Sequence, residues 1–186
     1  MATSKTELKK QKTVRPQIEV VIANNLIGES LESAKAFVAY IRANKMTPSW
    51  ASTNSWKVNY KGKALCYIRL HGAAHYEINS EQWHLAVFAQ YDQHLHELIK
   101  NEDDMMKNLV KSHINSNLPC GGCMPELDRY KVNEEFINRC ACTSININNP
   151  TVKMIEFAQK LIMLRRDAIA KGRVPKCNYL KPADRK

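Results

Sequence analysis

The feature that most constrains this chain is a group of four cysteines within 23 residues. A Cys-Gly-Gly-Cys segment over residues 120–123 is followed, after sixteen residues, by Cys-Ala-Cys over residues 140–142. Zinc in a structural site is held in a tetrahedron of soft ligands, and two short cysteine pairs can supply all four. The sequence therefore predicts a structural zinc site, around which the second half of the chain is organised, with the ligands Cys120, Cys123, Cys140 and Cys142.

Three other interpretations of these cysteines remain open. The spacer between Cys140 and Cys142 is one residue shorter than the usual one, so three of the cysteines with His113 are an alternative ligand set. Cys120 and Cys123 also have the spacing of a dithiol redox pair, although they follow a proline instead of opening a helix after a strand. Finally, all four side chains could serve as small buried apolar groups.

Length and composition fit one domain with a real core, because 44% of the 186 residues are apolar. The chain has no run of about 18 apolar residues, and residues 1–16 lack the apolar segment of a secretory signal. We therefore expect no membrane contact and a cytoplasmic location. In the reducing cytosol, clustered cysteines favour metal binding or redox chemistry over stable disulfides.

The net charge of +10 is concentrated at the two ends of the chain. Residues 1–16 hold five basic residues against one acidic residue, residues 165–186 hold eight against two, and the rest hold fifteen of each. This count predicts a neutral folded body between two basic ends. Basic ends attract nucleic acid through phosphate charge and counterion release, although many charged termini are simply solvated. Weak nucleic-acid contact through the ends is therefore one hypothesis.

Hydrophobic periodicity and turn residues predict helices and strands in one chain. The predicted helices cover residues 17–27, for which a strand is the alternative, and residues 30–44, 93–114 and 150–172, with one or two helical turns over 134–140. The predicted strands cover residues 56–60, 64–70 and 82–90, and a Lys61-Gly62 turn joins the first two. A sheet of so few strands cannot bury its own apolar face. Helices must therefore cover one face of it.

The predicted fold class is therefore α+β, with a small antiparallel sheet of three or four strands packed by helices. The predicted domain spans residues 17–172 and includes a cysteine-rich segment over 118–145. A basic disordered tail over residues 1–16 precedes this domain, and a basic tail over residues 173–186 follows it.

Six aromatic residues are predicted to lie on or near the sheet: Trp50, Trp56, Tyr60, Tyr67, Tyr76 and Trp83. We expect them to pack in the core or on a half-buried sheet face, and an aromatic-lined cleft for a planar ligand is the alternative. Cys66, in the middle of a predicted strand, is expected to be a core residue. The sequence contains neither a glycine-rich phosphate loop nor a nucleophile elbow, and its histidines do not assemble a site.

The hairpin Trp56-Lys-Val-Asn-Tyr-Lys-Gly-Lys-Ala-Leu-Cys-Tyr67 resembles one found in small uncharacterised bacterial α+β domains. In that domain-of-unknown-function family a helix precedes a Trp–Lys-Gly-Lys–Leu-Cys-Tyr hairpin, and another strand and helix follow. The resemblance covers about residues 34–110. It implies a fold for this part of the chain and no established activity, and the cysteine segment lies outside it.

These observations favour a non-enzymatic binding or regulatory module that carries a structural zinc ion. One alternative is weak association with nucleic acid through the basic ends. The other alternative is a thiol–disulfide redox protein that uses Cys120 and Cys123.

Overall fold

The computed structural model describes residues 5–73, 78–79, 82–89, 93–116, 129–132, 135–138 and 144–173. The helices of this part of the chain are α1 (Lys5–Val14), α2 (Ile18–Asn25), α3 (Gly28–Ala43), α4 (Gln93–Lys100), α5 (Asp104–Ser116) and α6 (Val152–Ala170). The strands are β1 (Thr47–Ser52), β2 (Ser55–Tyr60), β3 (Lys63–Leu70), β4 (Trp83–Phe88), β5 (Arg129–Val132), β6 (Glu135–Asn138) and β7 (Ser144–Asn148). No helix in these ranges is long and apolar enough to cross a membrane.

The main sheet has five strands in the order β1-β2-β3-β4-β7, and β5 and β6 form a separate antiparallel pair. The first four strands of the main sheet run antiparallel to their neighbours. The predicted α+β class is confirmed, with five strands in place of three or four. Strand β1, at one edge of the sheet, was not predicted from the sequence. It contains Pro48, which an edge strand tolerates because one side of the strand needs no hydrogen bonds.

The chain divides into two compact units, Met1–Val87 with Asn146–Gln159 and Phe88–Ile145 with Lys160–Lys186. In the first unit, alternate residues of β2, β3 and β4 form one apolar face of the sheet. Phe37 of α3 packs on Trp83 of β4 with ring centroids 5.8 Å apart, and the Trp83 Nε1–H donates to Ser33 Oγ at 3.3 Å. Burial of each large apolar side chain of this kind contributes about 1.5–3 kcal/mol, so this face is a main source of stability.

The β2–β3 hairpin follows its local sequence closely. Lys61 and Gly62 have φ angles of 46° and 75°, as a two-residue hairpin turn with a left-handed backbone requires. Beyond the turn, Trp56 lies opposite Ile68 and Val58 lies opposite Cys66. The predicted hairpin and its turn are confirmed.

The predicted helix over residues 93–114 is wrong in one respect, because two helices, α4 and α5, replace it. Residues 101–103 separate them, and the Met106 N–H donates to Asp103 Oδ1 at 2.9 Å. A carboxylate in this position satisfies a free amide of the first helical turn and favours a helix start. The adjacent Glu102 accepts a hydrogen bond from Lys160 Nζ at 2.6 Å. The acidic triplet 102–104 therefore forms a helix junction, at which the side chains of Asp103 and Asp104 are exposed to solvent.

Three further segments differ from the sequence predictions. Residues 5–14, predicted to belong to a disordered tail, form α1, and residues 135–138, predicted to be helical, form β6. Strand β7 comes from a segment with no predicted structure, where Ile145 and Ile147 are buried and alternate with polar residues. In contrast, α2 is confirmed, and α6 ends before Gly172, whose φ of 68° suits the predicted stop. The proposed boundaries of the domain and its tails stay a prediction.

Cys66 lies in the middle of β3 and is fully buried, as predicted for a core residue. Burial raises the pKa of the Cys66 thiol, because removal of water disfavours the thiolate, and the positive charge of Arg69 opposes this effect only in part. The thiol is therefore an inert packing group in the folded protein.

The Asp103 cap can be tested by mutation. We expect Asp103→Ala to lower the free energy of unfolding by about 0.5–2 kcal/mol, because the first-turn amide of Met106 loses its acceptor. Asp104→Ala is the matched control, since its side chain is 97% exposed and its ion pair with Lys107 is long, at 3.9 Å. Urea denaturation measures both. Equal losses in the two variants would contradict the role of the Asp103 cap.

The buried thiol makes a prediction about alkaline pH. The folded-state pKa of Cys66 is raised, so its contribution is intact at neutral pH and is lost as pH rises above the unfolded-state pKa of about 8.5. Above about pH 9, the stability of the native sequence should fall by up to about 1.4 kcal/mol per pH unit more steeply than that of Cys66→Ala. Denaturant titrations at several pH values measure the two slopes, and parallel slopes would contradict the prediction.

Candidate nucleic-acid interface

The predicted zinc ligands Cys120, Cys123, Cys140 and Cys142 lie outside the described residues. His113, the alternative ligand, belongs to α5, but its side chain is likewise outside the description. Within the described ranges, no three side chains of the His, Cys, Asp and Glu types come together as a metal site. The zinc site and the redox alternative therefore stay predictions.

The aromatic residues of the sheet divide into two groups. Trp56 and Trp83 are each 1% exposed, which confirms the prediction of core packing for these two. The half-buried aromatic rings each have a cation within 6 Å of the centroid: Arg15 at 5.8 Å from Trp50, Lys61 at 5.7 Å from Tyr60 and Arg69 at 4.8 Å from Tyr67. Tyr76 lies outside the described residues. Each of the three half-buried rings therefore makes a cation–π contact, which holds the cation near the sheet.

The excess of basic residues at the beginning of the chain extends beyond residue 16 into the folded region. Residues 5–73, which contain α1, α2, α3 and strands β1 to β3, hold twelve basic residues against four acidic ones, a net +8. All other residues together hold sixteen basic and fourteen acidic residues, a net +2. The middle of the chain is neutral because its first part, residues 17–73, is basic and the rest of the middle is acidic.

Two acidic residues of this region, Glu19 and Glu32, pair with cations outside α1. Glu19 accepts a hydrogen bond from Arg42 Nε at 2.5 Å, and this bond holds the pKa of Glu19 below its usual value. Glu32 pairs with Lys35 at 3.2 Å. Four exposed cations at the end of α1 have no carboxylate partner among the described residues, and we call them the α1 basic surface: Lys9, Lys10, Lys12 and Arg15.

Helix α1 is attached to the sheet by a pair of buried amide side chains. Gln11 is 8% exposed, and Asn54, in the turn between β1 and β2, is fully buried. Gln11 Nε2 donates to Asn54 Oδ1 at 2.5 Å, and the Asn54 backbone N–H donates to Gln11 Oε1 at 2.9 Å. Asn54 has a φ of 50°, a left-handed backbone that asparagine tolerates better than most residues. The local sequence determines this turn. The turn then places Asn54 Oδ1 where it accepts the hydrogen bond from Gln11 of α1.

A second attachment follows immediately after α1. The Trp56 Nε1–H donates to the carbonyl of Pro16 at 3.1 Å, and the Arg15 guanidinium lies over Trp50, the cross-strand neighbour of Trp56. Arg15 ends the helix, because its φ is 48° while its N–H still reaches the carbonyl of Gln11 at 2.8 Å. The segment from Gln11 to Pro16 is therefore held at both ends against β1 and β2.

A further group of lysines lies at the opposite end of the β2–β3 hairpin. Lys61 and Lys63 are exposed on either side of the turn glycine. Lys45 is exposed two residues before Thr47, which pairs with Asn59 near the same end. This group extends the basic character of the region beyond α1. Clustered, unpaired cations of this kind attract polyanions through the release of condensed counterions.

Two further polar features lie among the described residues of the first compact unit, and neither contains a cluster of unpaired cations. Arg69 and His84 lie opposite each other on β3 and β4, with Arg69 Nη1 3.5 Å from His84 Nδ1, but both are buried. A cleft of about 670 Å³ lies between the beginnings of α3 and α6, and a hydrogen bond from Ser30 Oγ to Asn149 Oδ1 joins its two walls. Its size suits a small ligand.

Sequence analysis identified the basic residues among the first sixteen positions. It did not identify Gln11 and Asn54, which hold the helix that carries them. Gln11 carries no signal, since one glutamine in a charged segment is unremarkable. Asn54 carries a weak one, because an asparagine between two strands favours a left-handed turn. The 43-residue separation of the two amides puts their contact beyond local patterns.

Comparison of the chain with protein-family models, with curated proteins and with solved structures finds no match. The resemblance of the hairpin to small uncharacterised bacterial domains stays a prediction.

Proposed function

We propose that this chain binds nucleic acid through its phosphate backbone, with the α1 basic surface as the main contact. The observation that carries the proposal is the attachment of α1 by Gln11 and Asn54, which holds a cluster of unpaired cations on a folded element. A basic helix in a fixed position presents several cations to a phosphate chain at once. The net charge of +8 over residues 5–73 adds a long-range attraction of the same sign.

Binding of this kind is mostly independent of base sequence. Lysines contact phosphates as point charges and release condensed counterions, so affinity falls steeply as salt increases. The proposal retains the nucleic-acid alternative of the sequence and moves its centre from loose ends to a docked helix. A cytoplasmic location belongs to the same proposal, because nucleic acid is accessible there.

We also propose that Cys120, Cys123, Cys140 and Cys142 bind a structural zinc ion. The support for this site is the spacing of the cysteines in the sequence. In this proposal the metal stabilises the second half of the chain and takes no part in phosphate binding. The chain then acts as a non-enzymatic binding module with a zinc-stabilised segment.

The contribution of the α1 basic surface can be measured with a labelled DNA duplex. The triple variant Lys9→Gln, Lys10→Gln and Lys12→Gln keeps side-chain length and helix propensity but removes three charges. We expect the slope of log affinity against log salt to become shallower by about 2–3, since each lost phosphate contact removes about 0.9. Fluorescence anisotropy between about 0.05 and 0.2 M salt measures this slope.

A control variant separates local from general charge effects. Lys35→Gln removes a lysine that already pairs with Glu32 on α3, so we expect its slope to stay close to that of the native sequence. The duplex can be replaced by a single-stranded oligonucleotide to learn which form binds more tightly. Affinity that does not depend on salt, or no binding by the native sequence, would refute the proposed function.

The zinc proposal has an independent test. Protein purified under reducing conditions should contain about one zinc ion per chain, and Cys123→Ser should lose most of it, since four thiolates are needed to close the site. Cys66→Ala is the control, because Cys66 is buried in the sheet and should leave the zinc content unchanged. Elemental analysis measures all three proteins. A metal-free native protein would remove zinc from the description and leave the redox alternative, which predicts abnormally acidic thiols at Cys120 or Cys123.

A further inference from the structure

We infer that Gln11 is a positioning residue for nucleic-acid binding, and that its amide pair with Asn54 determines how well the α1 basic surface works. This inference rests on the proposed function and specifies how the site is held. Opening the pair should weaken binding although no charge is removed.

The composition of α1 explains why one polar pair has this importance. Among residues 9–14, Gln11 is the one buried side chain, and Val14 is 71% exposed. The last turns of α1 therefore have no buried apolar stripe against the sheet. A helix of ten residues is also too short to be stable in water on its own, since isolated helices of fewer than about 12–15 residues are marginal. The order of this helix thus depends on its attachments.

The geometry of the pair makes it a strong attachment. Both residues are buried, and the Gln11 amide makes two hydrogen bonds to Asn54, one of 2.5 Å to its side-chain Oδ1 and one of 2.9 Å from its backbone N–H. A buried amide without a partner is costly, so loss of Gln11 leaves the Asn54 backbone N–H without its acceptor. The second attachment, between Pro16 and Trp56, lies beyond the end of the helix and holds the chain without holding the helical turns.

Docking matters for affinity because it fixes the positions of several cations before binding. When α1 is released, the same cations sit on a flexible segment, and each binding event must then order that segment. The apparent affinity falls in proportion to the fraction of molecules in which the helix is docked. The charges themselves remain, so the number of phosphates that can be contacted, and with it the salt slope, is retained.

The experiment compares Gln11→Ala with Thr13→Ala, a control on an exposed position of the same helix. Hydrogen exchange reports docking of α1, and anisotropy with a labelled DNA duplex reports binding. We expect Gln11→Ala to speed exchange in α1 and to weaken binding about three- to tenfold at constant salt slope. Thr13→Ala should change neither quantity.

A second variant approaches the pair from the other side. Asn54→Gly removes the side-chain oxygen that accepts from Gln11 Nε2, and it keeps both the backbone N–H that donates to Gln11 Oε1 and a residue that adopts the positive φ without strain. Because one of the two hydrogen bonds is already absent in the Asn54→Gly background, Gln11→Ala should weaken binding less there than in the native sequence.

The possible failures are distinct. Unchanged exchange in Gln11→Ala, unchanged affinity despite faster exchange, or additive losses in the double variant would each overturn the inference and leave the proposed function intact. No salt-dependent binding by the native sequence would overturn the proposed function and, with it, the inference.

Discussion

Burial of Asn54 is the constraint from which the arrangement of the N-terminal region follows. A polar group that is removed from water and left unpaired destabilises the fold. Asn54 is fully buried, so each of its hydrogen-bonding groups needs a partner. Its backbone carbonyl accepts from Leu70 N at 2.9 Å, its side-chain N–H donates to the His71 carbonyl, and its remaining groups bind Gln11. One residue thus joins the turn between β1 and β2, the end of β3, and α1, and so places α1 on the sheet.

The parts of the fold that were predictable from sequence are those with a complete local signal. The β2–β3 hairpin has alternation on both sides of a Lys61-Gly62 turn, and α6 has an apolar stripe that ends at Gly172. The parts that were missed depend on distant partners. The C-terminal end of α1 is held by residues 40 or more positions away. The α4–α5 junction depends on whether Asp103 caps a helix or lies on its surface, which composition alone does not decide.

The candidate site shows the same limit in its charges. Counting by chain position gives two basic ends and a neutral middle. The middle is neutral because residues 17–73, which hold seven basic and three acidic residues, are averaged with the acidic stretch that follows. Folding assigns these residues to elements, and pairing then decides which cations stay available. Arg42 and Lys35 are held by Glu19 and Glu32, while the α1 lysines have no such partner in the described part of the chain.

A polar attachment suits a basic helix better than an apolar one does. An amphipathic helix that docks through an apolar stripe gives up at least about 100° of its circumference to the core. Among residues 9–14 of α1 one side chain, Gln11, is buried, and the neighbouring Lys10 and Lys12 are exposed. The repulsion among these lysines is a cost that an apolar core could offset with many contacts. Here two directional hydrogen bonds from buried groups oppose this repulsion and hold the helix while its lysines stay exposed.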